Sequence, residues 1–264
     1  METGSSDAVT APGVPFALLA GAGLIAVSPS QMESALRHMG LQPEVMASGD
    51  GDGGEPAFRL HFGGLRFSAV RADAPQLRLA DPDDRATSLL GVALPRHWRD
   101  TCWIFVPEVE GRAARSSYDG FYRMLVLLID LFDAQQLFWS PARLWTDARQ
   151  FRGAIAEMQT SGMPPVLHLV AFRRRDGAAG EVVTTRGLAA FAGQELEAPV
   201  PAGWDMAAMV QRLARLALDI MINGPVARAQ QTPGLGGGEW VAMTPRGGEP
   251  GAPATLFVEF LAGR

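Results

Sequence analysis

The chain contains no lysine: all 23 of its basic residues are arginine. That removes mechanisms built on a side-chain amine, including Schiff bases, the phosphate-loop lysine and the protein-kinase lysine. Asparagine is also nearly absent, with Asn223 alone, and the bias reads as GC-rich bacterial coding. The single cysteine, Cys102, excludes an intramolecular disulfide, so nothing points to an oxidising compartment. Apolar runs are short. The run from Val14 to Val27 falls below the ~20 residues that span a bilayer. The segment before it has two acidic residues and no basic one, so it lacks the positive start of a secretory signal. These absences together predict a cytoplasmic protein with no membrane insertion. No Gly-x-Ser-x-Gly elbow is present, and no known Cys–His motif surrounds Cys102.

What is present suits a folded protein: 264 residues, 47% hydrophobic and 19% charged. A chain of this size can bury about three-quarters of its extended-chain surface. The net charge of −5 argues against nucleic acid, which needs a basic face to replace phosphate counterions. Basic residues cluster only at Arg173-Arg174-Arg175, and Asp176 follows at once.

Along the chain, residues 1–13 read as a disordered tail and Phe16 to Ala20 as a strand. Ser28-Pro29 starts a helix, with Ser28 as cap, Glu33 three residues after Ser30, and Gly40 as the stop. A short strand follows at Pro43 to Ala47. Phe58, Leu60 and Phe62, then Gly63-Gly64, then Leu65, Phe67 and Ala69 form the clearest hairpin. Gln76 to Ala80 adds a further strand and Asp81 to Asp84 a turn. Thr101 to Val106 is an apolar strand, and a mostly apolar helix runs from Ser116 or Ser117 to about Asp133. Leu137 to Trp139 reads as a strand, with Ser140-Pro141 starting a helix to Gln159. A patterned block follows: an apolar strand over Pro165–Phe172, an arginine-rich turn, a second strand, a Gly-Leu-x-x-Phe turn and a Glu-Leu-Glu strand. Asp205 then caps a helix ending at Asn223-Gly224, and Trp240–Met243 with Thr255–Phe260 makes a last hairpin. Interleaving without a regular βαβ beat predicts an α+β fold with mixed or antiparallel sheets and helices on one face. Two α+β halves, 14–108 and 109–264, are expected, and one compact domain is compatible with the same pattern.

The chemical signals are few. Gly21-x-Gly23-x-x-Ala26 follows a strand as a dinucleotide fingerprint would, but the Ser28-Pro29 start places the helix after the glycines. Gly234 to Gly238 has no following Lys-Ser/Thr, which leaves a mobile loop. Asp50-Gly-Asp52-Gly-Gly-Glu55 opens like a calcium loop but lacks the later ligands. Of the four histidines, only His97, with Asp100 and Cys102, approaches a metal cluster, and weakly. His168 falls on the predicted strand with Val166, Val170 and Phe172. No cofactor is expected. Glu195 and Glu197, two apart on a strand, point to one face with Cα atoms ~6.6 Å apart. Such a pair can couple for acid–base work, or can form an acidic edge.

The block Thr185-Arg-Gly-Leu-Ala-Ala-Phe-Ala-Gly-Gln-Glu-Leu-Glu197 resembles the bacterial family catalogued as domain of unknown function 4261. That family carries Thr-x-Gly-Leu-x-x-Phe-Gly with glutamates after it, an apolar strand before and an amphipathic helix and glycine-rich loop after. The resemblance covers about residues 139–238. Ala192 displaces Gly193 by one position, a departure from the family pattern. The resemblance implies fold-marker roles for Gly187, Leu188, Phe191 and Gly193, and no chemistry. In layout the chain is also similar to suppressor-of-fused-like domains found among bacterial toxin-immunity genes. The expectation is a non-catalytic module binding another protein, in an immunity or adaptor role near a toxin or secretion system. Its binding residues would be Arg173, Arg174, Arg175, Glu195 and Glu197. The alternative is an enzyme or small-ligand binder using Glu195 and Glu197 with His168.

Overall fold

The computed structural model describes residues 15–46, 57–62, 64–73, 79, 86–93, 101–108, 116–178, 180–248 and 252–261. The expected tail, the Asp50–Glu55 motif, most of the Gln76–Ala80 strand, the Asp81–Asp84 turn, His97 and Asp100 lie outside the described residues. The fold is α+β, and the chain forms two compact units. The first takes the described residues of 1–80, 93–140 and 145–152, and the second those of 81–92, 141–144 and 153–264. The expected divide at 108/109 falls inside the first unit's run 93–140.

The first unit begins with β1 (Ala17–Ala20), α1 (Ala22–Ile25), α2 (Pro29–His38), β2 (Glu44–Met46), β3 (Ala57–Phe62) and β4 (Leu65–Asp73). The short β5 (Thr87–Ser88) belongs to the second unit. Then come β6 (Thr101–Glu108), α3 (Ser116–Phe132), β7 (Gln136–Trp139), β8 (Leu144–Asp147) and α4 (Ala148–Ser161), which leads from one unit into the other. The first sheet has the order β2-β3-β4-β6-β1-β7-β8. The β3–β4 hairpin forms as the alternation predicts, with Gly64 in the left-handed region at φ 79°. Helix α3 packs on β3 and β4, and Phe121 meets Phe67 edge-on at 6.5 Å. On the other face, Phe16, Leu18, Ile104, Phe138 and Trp145 form a second apolar cluster, so β1 is buried throughout.

Three local expectations change. Ser28 caps α2 through a capping box whose third-position partner is Gln31, not Glu33. A four-residue helix, α1, starts at Ala22, inside the Gly21–Ala26 motif rather than after it. Its glycines are required by packing: a Cβ on Gly23 would lie 2.7 Å from the Phe132 carbonyl oxygen. The Ser140-Pro141 pair begins a turn, not a helix. Arg143 takes a positive φ of 49°, the chain returns as β8, and Asp147 starts α4 by accepting from the Gln150 amide at 2.9 Å.

The second unit continues with α5 (Val166–Leu169), β9 (Ala171–Gly177), β10 (Gly180–Arg186), α6 (Ala189–Ala192), β11 (Gln194–Pro199), α7 (Met206–Asn223), β12 (Gln230–Pro233), β13 (Trp240–Arg246) and β14 (Ala254–Leu261). Its sheet has the order β12-β13-β14-β11-β10-β9-β5, with β11–β14 parallel and its other pairs antiparallel. Asp205 caps α7 by accepting from the Ala208 amide, as its sequence predicts. The apolar stripe Met209, Leu213, Ala217 and Ile220 is buried, as are Val183, Leu196, Val241, Leu256 and Val258 on the α7 side of the sheet. Side chains alternate across a strand, so the other face carries Arg173, Arg175, Thr184, Glu195, Glu197, Trp240 and Arg246. Among the described residues, no helix is long and apolar enough to cross a membrane.

Candidate functional site

The arginine-rich segment is the middle of strand β9, not a turn. Arg173 pairs with Thr184, Arg174 with Val183 and Arg175 with Val182. The period of two therefore splits the cluster. Arg173 and Arg175 face the open side, while Arg174 faces the other and meets Glu181 at 3.3 Å. Thr184 in turn pairs with Glu197 and Glu197 with Phe257, which gives the row Arg173–Thr184–Glu197–Phe257 across four strands.

Arg173, Thr184 and Glu197 of this row line a cleft of about 820 Å³ within the second unit. Arg173, Arg175, Arg186, Thr184, Glu195 and Glu197 line it, and Pro141 and Pro253 stand at its edge. The structure thus brings together four of the five expected binding residues. His168 lies elsewhere: the expected strand around it is the short helix α5, which follows Pro164-Pro165, and His168 is not among the residues lining the cleft.

Both glutamates are engaged by the protein itself. Glu195 Oε1 accepts from the backbone N–H of Gly187 (2.8 Å) and Ala189 (3.1 Å), and Oε2 from Leu188 N–H (3.2 Å) and the Thr185 hydroxyl (2.8 Å). The carboxylate is a latch holding the Gly-Leu turn onto β11. Burial pushes its pKa above the ordinary carboxylate value, and the bonds from Ala189, Thr185, Gly187 and Leu188 pull against that rise. Glu197 Oε2 lies 2.8 Å from Arg175 Nη2, and its Oε1 lies 3.6 Å from Arg246 Nη1. Arg246 also stacks on the Phe257 ring, 3.6 Å from its centroid.

The family-like motif has a local physical basis. Gly187 sits at φ 98°, and a Cβ there would meet the Leu169 carbonyl oxygen at 2.8 Å and the Ala142 Cβ at 2.9 Å. Leu188 is fully buried, whereas Phe191 is only half-buried, a lesser plug than the motif suggests. Gly193, one place late for the family pattern, closes α6 in the left-handed region at φ 72°.

A second polar centre lies on the α7 side. Arg212 Nη2 meets Glu239 Oε2 at 2.8 Å, and Arg212 Nε donates to both carboxylate oxygens of Glu239. The arginine holds the Glu239 carboxyl below its usual range, against the upward pull of burial. The Gly234–Gly238 segment, expected to be mobile, is pinned here: Gly234 N–H donates to the Glu239 carbonyl at 2.8 Å and Glu239 N–H to that of Gly236 at 3.0 Å. No group of three potential metal ligands occurs among the described residues. Thr184, Arg186 and Arg246 escaped the sequence reading. The signal for them was the alternation along β10 and β13, visible only once β9 is known to be a strand.

No family model, curated protein or solved structure matches the chain.

Proposed function

We propose that the protein is a non-catalytic binding module whose partner is another protein, and that the open face of the second unit's sheet receives it. One observation carries this reading: the glutamates of that face are engaged by the protein itself, while the same face exposes the apolar cross-strand pair Trp240 and Leu261. Glu195 is spent on four donors and Glu197 is shared by Arg175 and Arg246. A general base needs a free lone pair aimed at a substrate proton, and Glu195, which already accepts from four donors, offers none. At the far end of the face the cross-strand pair Trp240 and Leu261 is 44% and 39% exposed. An exposed aromatic anchor on a face that also carries arginine is the composition of protein-binding hot spots. The resemblance to the domain of unknown function 4261 family, and the layout shared with immunity-type domains, support a bacterial cytoplasmic immunity or adaptor role. The face selects an acidic partner segment carrying an apolar anchor.

The enzymatic alternative, with Glu195, Glu197 and His168 around one substrate, ranks second because His168 does not line the cleft. The test is capture from native lysate by wild type, Trp240→Asp and Arg246→Glu. The proposal expects one stoichiometric protein with wild type, lost in both variants. Equal capture by all three would overturn it.

A further inference from the structure

We infer that β12 is a docking edge, where an extended segment of a partner protein adds to the second unit's sheet as an eighth strand, apolar at alternate positions and with an acidic neighbour. The inference rests on the protein-binding reading and names the kind of partner it calls for. The first observation concerns the sheet edges. An edge strand presents main-chain N–H and C=O groups that invite another strand, and folds blunt it by shortness, charge or cover. Among the described residues, three of the four sheet edges are blunted in this way. β5 has two residues, β2 has three and carries Glu44, and β8 is mostly buried. β12 has four uncharged residues, Gln230-Gln231-Thr232-Pro233, bonded to β13 on one side only. Gln230, Gln231 and Pro233 are exposed. Proline is tolerated there because an edge strand need not donate on both sides.

The second observation is where exposed apolar surface gathers. Pro233, Trp240 and Leu261 stand in one cross-strand row on the open side. Trp240 is 44% exposed, Leu261 39%, and Leu235, two residues past β12, 49%. A residue of an added strand opposite Pro233 extends that row, ~10 Å from the Trp240 Cα at two strand spacings and within reach of the indole. Its neighbours along the strand point to the α7 side. There a hollow of about 100 Å³ lies at the end of β12, lined by Arg215, Leu216, Pro233, Leu235, Val241 and Phe260 among others. On the scale where a cavity of roughly 150 Å³ takes benzene, this one takes an aliphatic side chain. Its charged members are Arg212, Arg215 and Glu239, and Glu239 is already bound to Arg212. The remaining positive charge selects a carboxylate next to the apolar side chain.

The size of the edge decides between occupants. Two copies of this chain joined through β12 would share four residues of strand and three exposed apolar side chains. That falls well short of the ~20–30 residues a side that stable interfaces use. A slender segment needs no more than this edge, because main-chain hydrogen bonds carry its affinity and pockets for alternate side chains carry its specificity.

Selection of a displayed library of random heptapeptides on the full chain, followed by titration of the recovered peptides, tests it. The recovered peptides should share apolar residues two apart with an adjacent Asp or Glu. Backbone N-methylation along the tightest peptide should lower affinity about tenfold or more at every second position and leave the intervening positions within about twofold, the signature of strand pairing. Trp240→Asp and Arg215→Glu, both at exposed positions, should keep the wild-type melting temperature and each weaken binding about five- to tenfold. No enriched peptide, loss on methylation without the alternation, or affinity unchanged in both variants overturns the docking edge. Self-association of the full chain by light scattering, abolished by Trp240→Asp, would give the edge to a second copy and overturn it too. A partner captured from lysate through Trp240 without that alternation leaves the protein-binding reading standing and strikes strand addition alone.

Discussion

Glu195→Ala is the most informative perturbation of the second unit. The wild-type carboxylate accepts from three backbone amides and one hydroxyl at 2.8–3.2 Å. Alanine leaves all four donors without that acceptor. An amide bereft of its partner costs ~1–3 kcal/mol when fully buried. Glu195 lines the cleft, so water can reach part of the turn, and the Thr185 hydroxyl can rotate while still accepting from Leu196 N–H. Taking the lower end for three amides gives a loss of about 3 kcal/mol. Against a typical total stability of ~5–15 kcal/mol, that is a large fraction. Glu195→Gln keeps one oxygen for two of the four donors and should lose roughly half as much. Native-state hydrogen exchange reads the effect where it acts. The amides of Gly187, Leu188 and Ala189 should lose protection by about a hundredfold in the alanine variant, since every 1.4 kcal/mol is a factor of ten. Unchanged protection, with stability altered by less than ~0.5 kcal/mol, would refute the latch and reopen Glu195 as a functional acid.

Two further outcomes follow from the same geometry. Gly187→Ala forces a side chain into the left-handed region and onto the Leu169 carbonyl oxygen at 2.8 Å and the Ala142 Cβ at 2.9 Å, costing about 3 kcal/mol in urea denaturation, whereas Gly193→Ala, with nothing within 4 Å, should cost ~1 kcal/mol. Glu239 and Glu195 should titrate with opposite signs. The depressed Glu239 carboxyl stabilises the fold above the usual carboxylate pKa, and that contribution is lost as pH falls through the depressed value, so Glu239→Gln should flatten the acid limb of stability. The raised Glu195 carboxyl contributes most below the usual value and less as pH rises through the raised one, so the wild-type advantage over Glu195→Gln should shrink as pH rises above the usual carboxylate range.

Much of the fold was legible because its signals are local. The β3–β4 alternation, the Ser28 and Asp205 caps, and the apolar stripe of α7 each act within a few residues of themselves. The site was legible only in part. Arg173-Arg174-Arg175 looks like a solvated turn because three adjacent charges are costly in a sheet interior. The sheet tolerates them by giving Arg174 to Glu181 on one face and Arg175 to Glu197 on the other. His168 sits in an apolar run that suits a strand, but the two prolines before it start a helical turn instead. Glu195 and Glu197 do share a strand face, as their spacing predicts, yet their roles diverge through contacts 6 to 49 residues away, which spacing does not encode.

The most direct test of the open sheet face as a partner surface is site-specific photo-crosslinking in native lysate. A benzophenone side chain replaces Trp240 in one version and Gln211, exposed on α7, in another. The account predicts one discrete protein adduct from position 240 and none from position 211. Adducts of equal yield from both positions, or none from position 240, would contradict it.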